Sequence, residues 1–109
     1  MSEQFSDGIC EDWSSVMPVT PEVIKICLEV RPMIEKKVGT NFKMYFPVVY
    51  CSQVVLGMNY MVKVLVDLCG DGVCVDAKIF RDLPCHGGEL TVTKVQYPKP
   101  FYDVLEIFS

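Results

Sequence analysis

At Gly39 the hydrophobic repeat of this chain changes from about 3.6 residues to 2, which restricts the kinds of fold open to it. Upstream, Val23, Ile24, Ile26, Cys27, Val30, Met33 and Ile34 recur at helical spacing. Thr20 can cap the helix, Pro21 suits its first position, Glu22 complements the positive end of the dipole, and Gly39 can stop it after Lys36 and Lys37. The spacing predicts a helix over 21–37, with Pro32 predicting a kink or a loosened last turn. Downstream, Phe42, Met44, Phe46, Val48 and Tyr50 alternate with their neighbours, and so do Met58, Tyr60, Val62, Val64 and Val66. Val73, Val75, Ala77 and Ile79, then Leu90 and Val92, continue the alternation. These are antiparallel strands with one face on a core. Cys69-Gly70-Asp71-Gly72 marks a hairpin turn, Leu83 to Gly88 marks the next connection, and Val104, Leu105, Ile107 and Phe108 form a short last strand or a packed tail. One helix followed by four or five antiparallel strands gives an α+β domain, a sheet wrapped around a helix.

At 109 residues, half of them apolar, the chain is long enough to bury one core, so residues 18–109 are expected to form a single domain behind an arm, 1–17, of little regular structure. No apolar run approaches the roughly 18 residues of a bilayer span, and a net charge of −4 disfavours nucleic acid and anionic membranes as partners. The opening MSEQFSDGICEDW is polar and acidic, unlike a signal peptide, so the reducing cytosol is the expected compartment. Cys10, Cys27, Cys51, Cys69, Cys74 and Cys85 are then expected to be free thiols, with Cys27 a small hydrophobe on the helix's apolar stripe.

Catalytic chemistry is not visible. Cys85 and His86 are neighbours in sequence, a poor geometry for a nucleophile and its base, and His86 is better read as a turn residue. Cys69 and Cys74 could hold zinc only with two further ligands, for which Cys85 and His86 are the candidates. The carboxylates are scattered, and neither Gly70-Asp71-Gly72 nor Gly87-Gly88 sits between a strand and a helix as a phosphate loop does. No enzyme, cofactor or metal site is expected.

Gln53-Val54-Val55-Leu56-Gly57 stands apart from this pattern. Three apolar residues lie between an amide and a glycine, where a hairpin turn would ordinarily use Asn, Asp, Gly or Pro. As a loop the stretch would offer apolar contact to another molecule, with little side-chain entropy to lose at the β-branched valines. As the middle of a long buried strand it would carry a bulge at Gly57. From the residues alone both readings are open.

The chain resembles the stefins, the intracellular type-1 cystatins. Gln53, Val55 and Gly57 match their Gln-x-Val-x-Gly motif, and Thr20-Pro21-Glu22 opens the helix as in that family. Asn59-Tyr60, Val62-Lys63-Val64, Lys78-Ile79-Phe80, Leu83-Pro84, Leu90-Thr91 and the Asp103, Leu105, Phe108 ending follow in order, so the resemblance covers about residues 18–108. It implies a cystatin fold, a five-stranded antiparallel sheet around one helix. It also implies reversible, competitive inhibition of papain-like cysteine proteases by a wedge of three parts. Carried over by position, these are an amino-terminal arm, a first loop of Gln53, Val54, Val55, Leu56 and Gly57, and a second loop of Leu83, Pro84 and Cys85. Secreted cystatins have a Trp in the second loop and two disulfides near the carboxy terminus. Here Trp13 is the sole tryptophan, and only three cysteines follow Gly57.

Two positions depart from the family. Leu56 stands where a small residue is common, and Glu11 where the arm has a glycine. Gly8 and Trp13 are then the arm's candidate contacts. The alternative function is a protein-interaction or assembly module that keeps the fold without inhibition. Replacing Gly57 by Arg, or Val55 by Asp, is expected to weaken docking and leave the fold intact. Straightening the first loop would merge two strands, so a monomer with a route to a domain-swapped dimer is the expected assembly.

Overall fold

The computed structural model describes residues 13–108. Strand β1 (Met17–Pro18) leads into helix α1 (Pro21–Val38), and four strands follow: β2 (Phe46–Val55), β3 (Gly57–Asp67), β4 (Val73–Arg81) and β5 (Leu90–Pro100). The strands form one antiparallel sheet in chain order, β1-β2-β3-β4-β5. This is the expected α+β architecture, one helix on a five-stranded sheet.

The helix begins and ends where its caps allow. Thr20 Oγ1 accepts the Val23 amide at 3.2 Å, and Pro21 occupies the first turn, where its missing N–H leaves no bond unmade. Gly39 stops the helix in the left-handed region, φ +80°, with its amide on the Glu35 carbonyl. The helix continues through Pro32 without interruption. Pro32 lies on the exposed side, where water can solvate the carbonyl left without a donor.

Val23, Ile26, Cys27, Val30 and Ile34 of α1 are buried against Tyr60, Val62, Val64 and Val66 of β3, Val75, Ala77 and Ile79 of β4, and Val92 of β5. Each fully buried aliphatic side chain here contributes roughly 1.5–3 kcal/mol. The buried Cys27 thiol is pushed up to about 12 by desolvation, so it behaves as one more apolar group. After the helix, residues 40–45 are tied back to it. Arg31 Nε meets Glu35 at 3.0 Å, the Phe42 amide donates to the same carboxylate at 3.0 Å, and the Tyr45 hydroxyl donates to the Cys27 carbonyl at 2.7 Å.

The alternation from Phe42 to Tyr50 is broken. Phe42 and Tyr45 are buried, but Phe46 is 59% exposed. The β2–β3 register shifts between Pro47 and Val49, and the bulge resets which residues face the helix. The other alternations hold. Met17, at the end of the expected arm, and Pro18 pair with Tyr50 and Val49 as the first strand. No helix of the described residues is long and apolar enough to cross a membrane.

Candidate functional site

Gln53 to Gly57 resolves in favour of a hairpin. Val55 pairs directly with Gly57, so β2 reverses into β3 around Leu56 alone. So tight a reversal leaves the tip side chains nothing to pack on. Val54 is 72% exposed and Leu56 84%. Gln53 Oε1 accepts from Asn59 Nδ2 at 2.9 Å across the ladder and braces the hairpin behind its tip.

Gly57 is buried, with φ +115°, and a Cβ there would overlap the Arg81 carbonyl oxygen and stand 2.9 Å from Phe80 Cε1 and Cζ. The main chain of the hairpin is thus pressed onto the end of β4, an approach only glycine permits. This corrects the expectation that Gly57→Arg would spare the fold. Any side chain at 57 displaces β4 before it meets a partner.

The second loop lies at the same end of the sheet, because Arg81 pairs with both Met58 and Leu90. Pro84–His86 form one 3-10 turn, closed by the His86 amide on the Leu83 carbonyl at 2.9 Å and the Gly88 amide on the same carbonyl at 3.0 Å. Asp82, which belongs to no motif in the sequence, braces this turn. Its Oδ1 accepts the Leu83 amide at 2.8 Å and lies 3.2 Å from His86 Nδ1. These two contacts hold its carboxyl below the usual range, the Leu83 amide first. An Asp directly ahead of a Leu-Pro turn was the available signal. Leu83 is half-buried, while Pro84 and Cys85 are exposed.

The amino-terminal segment approaches the same end. The Ser14 amide donates to the Ser52 carbonyl at 2.8 Å and β1 runs antiparallel to β2, which sets Ser14 beside the first-loop half of β2. Trp13 is half-buried and packs against Cys51, Met61 and Leu105, on the sheet face away from the helix. It is therefore seated on the domain itself. Gly8 and Glu11 lie outside the described residues.

The polar candidates do not assemble into a chemical centre. His86 is exposed and engaged by Asp82. Cys69 is exposed at its turn while Cys74 is fully buried in β4. Among the described residues no three His, Cys, Asp or Glu side chains gather as a metal site.

No family model matches the chain. Cystatin-A of Felis catus is 37% identical over 95 residues, covering 87% of this chain and 94% of that protein. The chain belongs to the stefin family. Cystatin-B of Macaca fuscata fuscata is 36% identical and Cystatin-B of Homo sapiens 35%, each over 100 residues that cover 92% of this stefin and 99% of the relative. Coverage of this extent includes the helix and both loops.

Proposed function

We propose that this stefin is a reversible, competitive inhibitor of papain-like cysteine proteases, and that the loop end of its sheet is a wedge filling the substrate cleft. The first-loop tip carries the reading: two large apolar side chains, Val54 at 72% and Leu56 at 84% exposure, on a hairpin whose backbone is immobilised by Gly57. A rigid apolar projection loses little entropy on docking, and a few such central side chains supply most of an interface's affinity. Leu83, Pro84 and Cys85 extend the same edge, and the segment before Ser14 would complete it. Docking beside the catalytic thiol without laying a scissile bond across it blocks substrate and leaves the inhibitor uncut. Merging β2 and β3 into one straight strand in a swapped dimer would abolish the tip, so such a dimer should not inhibit.

Titration of the chain against papain tests the proposal. Competitive inhibition is expected, weakened by Val55→Asp with the fold retained. A folded chain that leaves papain fully active at micromolar concentration would instead support the interaction-module alternative.

A further inference from the structure

On the sheet face away from the helix, Trp13 and the tail at 101–108 cover Cys51, Met61 and Lys63, and one buried charge holds the cover down. Lys63 projects from β3 onto this face and is only 3% exposed. Its ammonium donates to the carbonyl oxygens of Phe101, at 3.1 Å, and of Asp103. Asp76, its direct cross-strand partner on β4, is 1% exposed. A buried ammonium needs such acceptors, since leaving it unpaired is costly. The tail therefore cannot lift at Phe101–Asp103 without stranding Lys63.

From that anchor the tail runs back towards the loop end. Leu105, 6% exposed, packs with Cys51 and Met61, and Trp13 and Phe108 close over the same cluster. Lys94 Nζ stands 6.0 Å from the Phe108 ring centroid and steadies the tail's last turn of chain. Trp13 is followed immediately by Ser14, whose amide and hydroxyl exchange hydrogen bonds with Ser52 at 2.8 and 3.0 Å. The carboxy-terminal tail and the base of the amino-terminal arm thus share one apolar cluster.

We infer that the carboxy-terminal tail is a clasp fixing the base of the arm, and that Lys63 is the positioning residue that closes it. The clasp sets the point and direction from which the arm leaves the domain. Its benefit to docking, a smaller ordering cost on binding, rests on the proposed inhibitory function. The clasp itself does not.

Trp13 is the sole tryptophan, so its emission reads the clasp directly. The double variant Lys63→Met/Asp76→Asn removes both buried charges together, leaving neither unpaired. Leu105→Ala opens the clasp from the tail with both charges in place. In each, Trp13 emission should move to longer wavelength, and amide exchange at Ser14 and Phe101 should quicken about tenfold or more, the equivalent of one charge-assisted hydrogen bond. Val62 and Ile79 amides should keep their protection. Unchanged emission and exchange in both variants overturn the clasp, and so does an equal loss of protection at Ile79. Against papain both variants should dissociate faster by a similar factor. Unchanged dissociation alongside shifted emission overturns the arm-positioning role. A parent chain that does not inhibit papain refutes the proposed function, while emission and exchange still decide the clasp.

Discussion

Replacing Gly57 by Ala separates the two ideas one could hold about the first loop. If the loop were a pliant surface turn, a methyl group there would cost little. The structure requires more. The residue sits at φ +115°, where a side chain costs roughly 1–3 kcal/mol. Its Cβ would also overlap the Arg81 carbonyl and press on the Phe80 ring, overpacking worth about 1–3 kcal/mol. Neither neighbour yields easily, since Arg81 is in register with Met58 and Leu90 on either side. Together the two effects should remove about 2–6 kcal/mol, a large share of the roughly 5–15 kcal/mol that stabilises a domain. Gly39→Ala is the matched control, because a Cβ there meets nothing within 4 Å and only the positive φ is penalised. Urea unfolding followed by far-ultraviolet circular dichroism measures both variants. The Gly57→Ala midpoint should fall by roughly 1–3 M, and that of Gly39→Ala by about half a molar. A Gly57→Ala loss below about 0.5 kcal/mol, the size of an ordinary surface change, would falsify the packing described for this hairpin.

Leu56→Ala should do the reverse. Stability should stay within about 0.5 kcal/mol while inhibition of papain weakens by roughly 30-fold, the value of burying that side chain in a cleft; unaltered inhibition would remove Leu56 from the interface. The Glu35 carboxyl is held below its ordinary value of 4.5, first by the Phe42 amide and then by Arg31. Its folded pKa being lowered, the stability it contributes is present above pH 4.5 and lost as pH falls through the folded value, so Glu35→Gln should flatten the acid limb of a pH–stability curve. An unchanged limb would show the contact to be idle. Among the described thiols, Cys69 and Cys85 should react with a disulfide reagent in the native protein, and Cys27, Cys51 and Cys74 only on unfolding. Modification of native Cys27 would contradict its place in the core.

Local signals announced the helix because they were strong and agreed: Thr20, Pro21 and Gly39 bracket an apolar stripe, and packing had no reason to override them. Alternation located β3 and β4 for the same reason. What escaped was non-local. Phe46 turns outward because of a bulge at Pro47/Val49, for which Pro47 inside the alternating run was the available signal. The cover on the outer face was half-legible. Tyr60-Met61-Val62-Lys63-Val64-Leu65-Val66 is too apolar for a strand with one wet face, and Met61 marks a second buried side. Nothing in that run says that the tail and Trp13 form the covering layer, because their partners lie some 40 residues away in sequence. The first loop remained ambiguous for a related reason: a strand middle and a one-residue reversal can share the same apolar letters.

Strand β5 forms one outside edge of the sheet and is 11 residues long, enough to template a strand from another molecule. It carries Pro98 and Pro100, which cannot donate to such a ladder, and Lys94 and Lys99, whose charges would repel their counterparts in a second copy. Its pairing with β4 is displaced twice, at Cys74/Asp76 and at Lys78/Ile79, so the edge twists away from the flat geometry that stacking requires. Copies of this stefin should therefore resist joining edge to edge into a shared sheet when crowded, a protection against aggregation achieved without lengthening a loop or adding a disulfide.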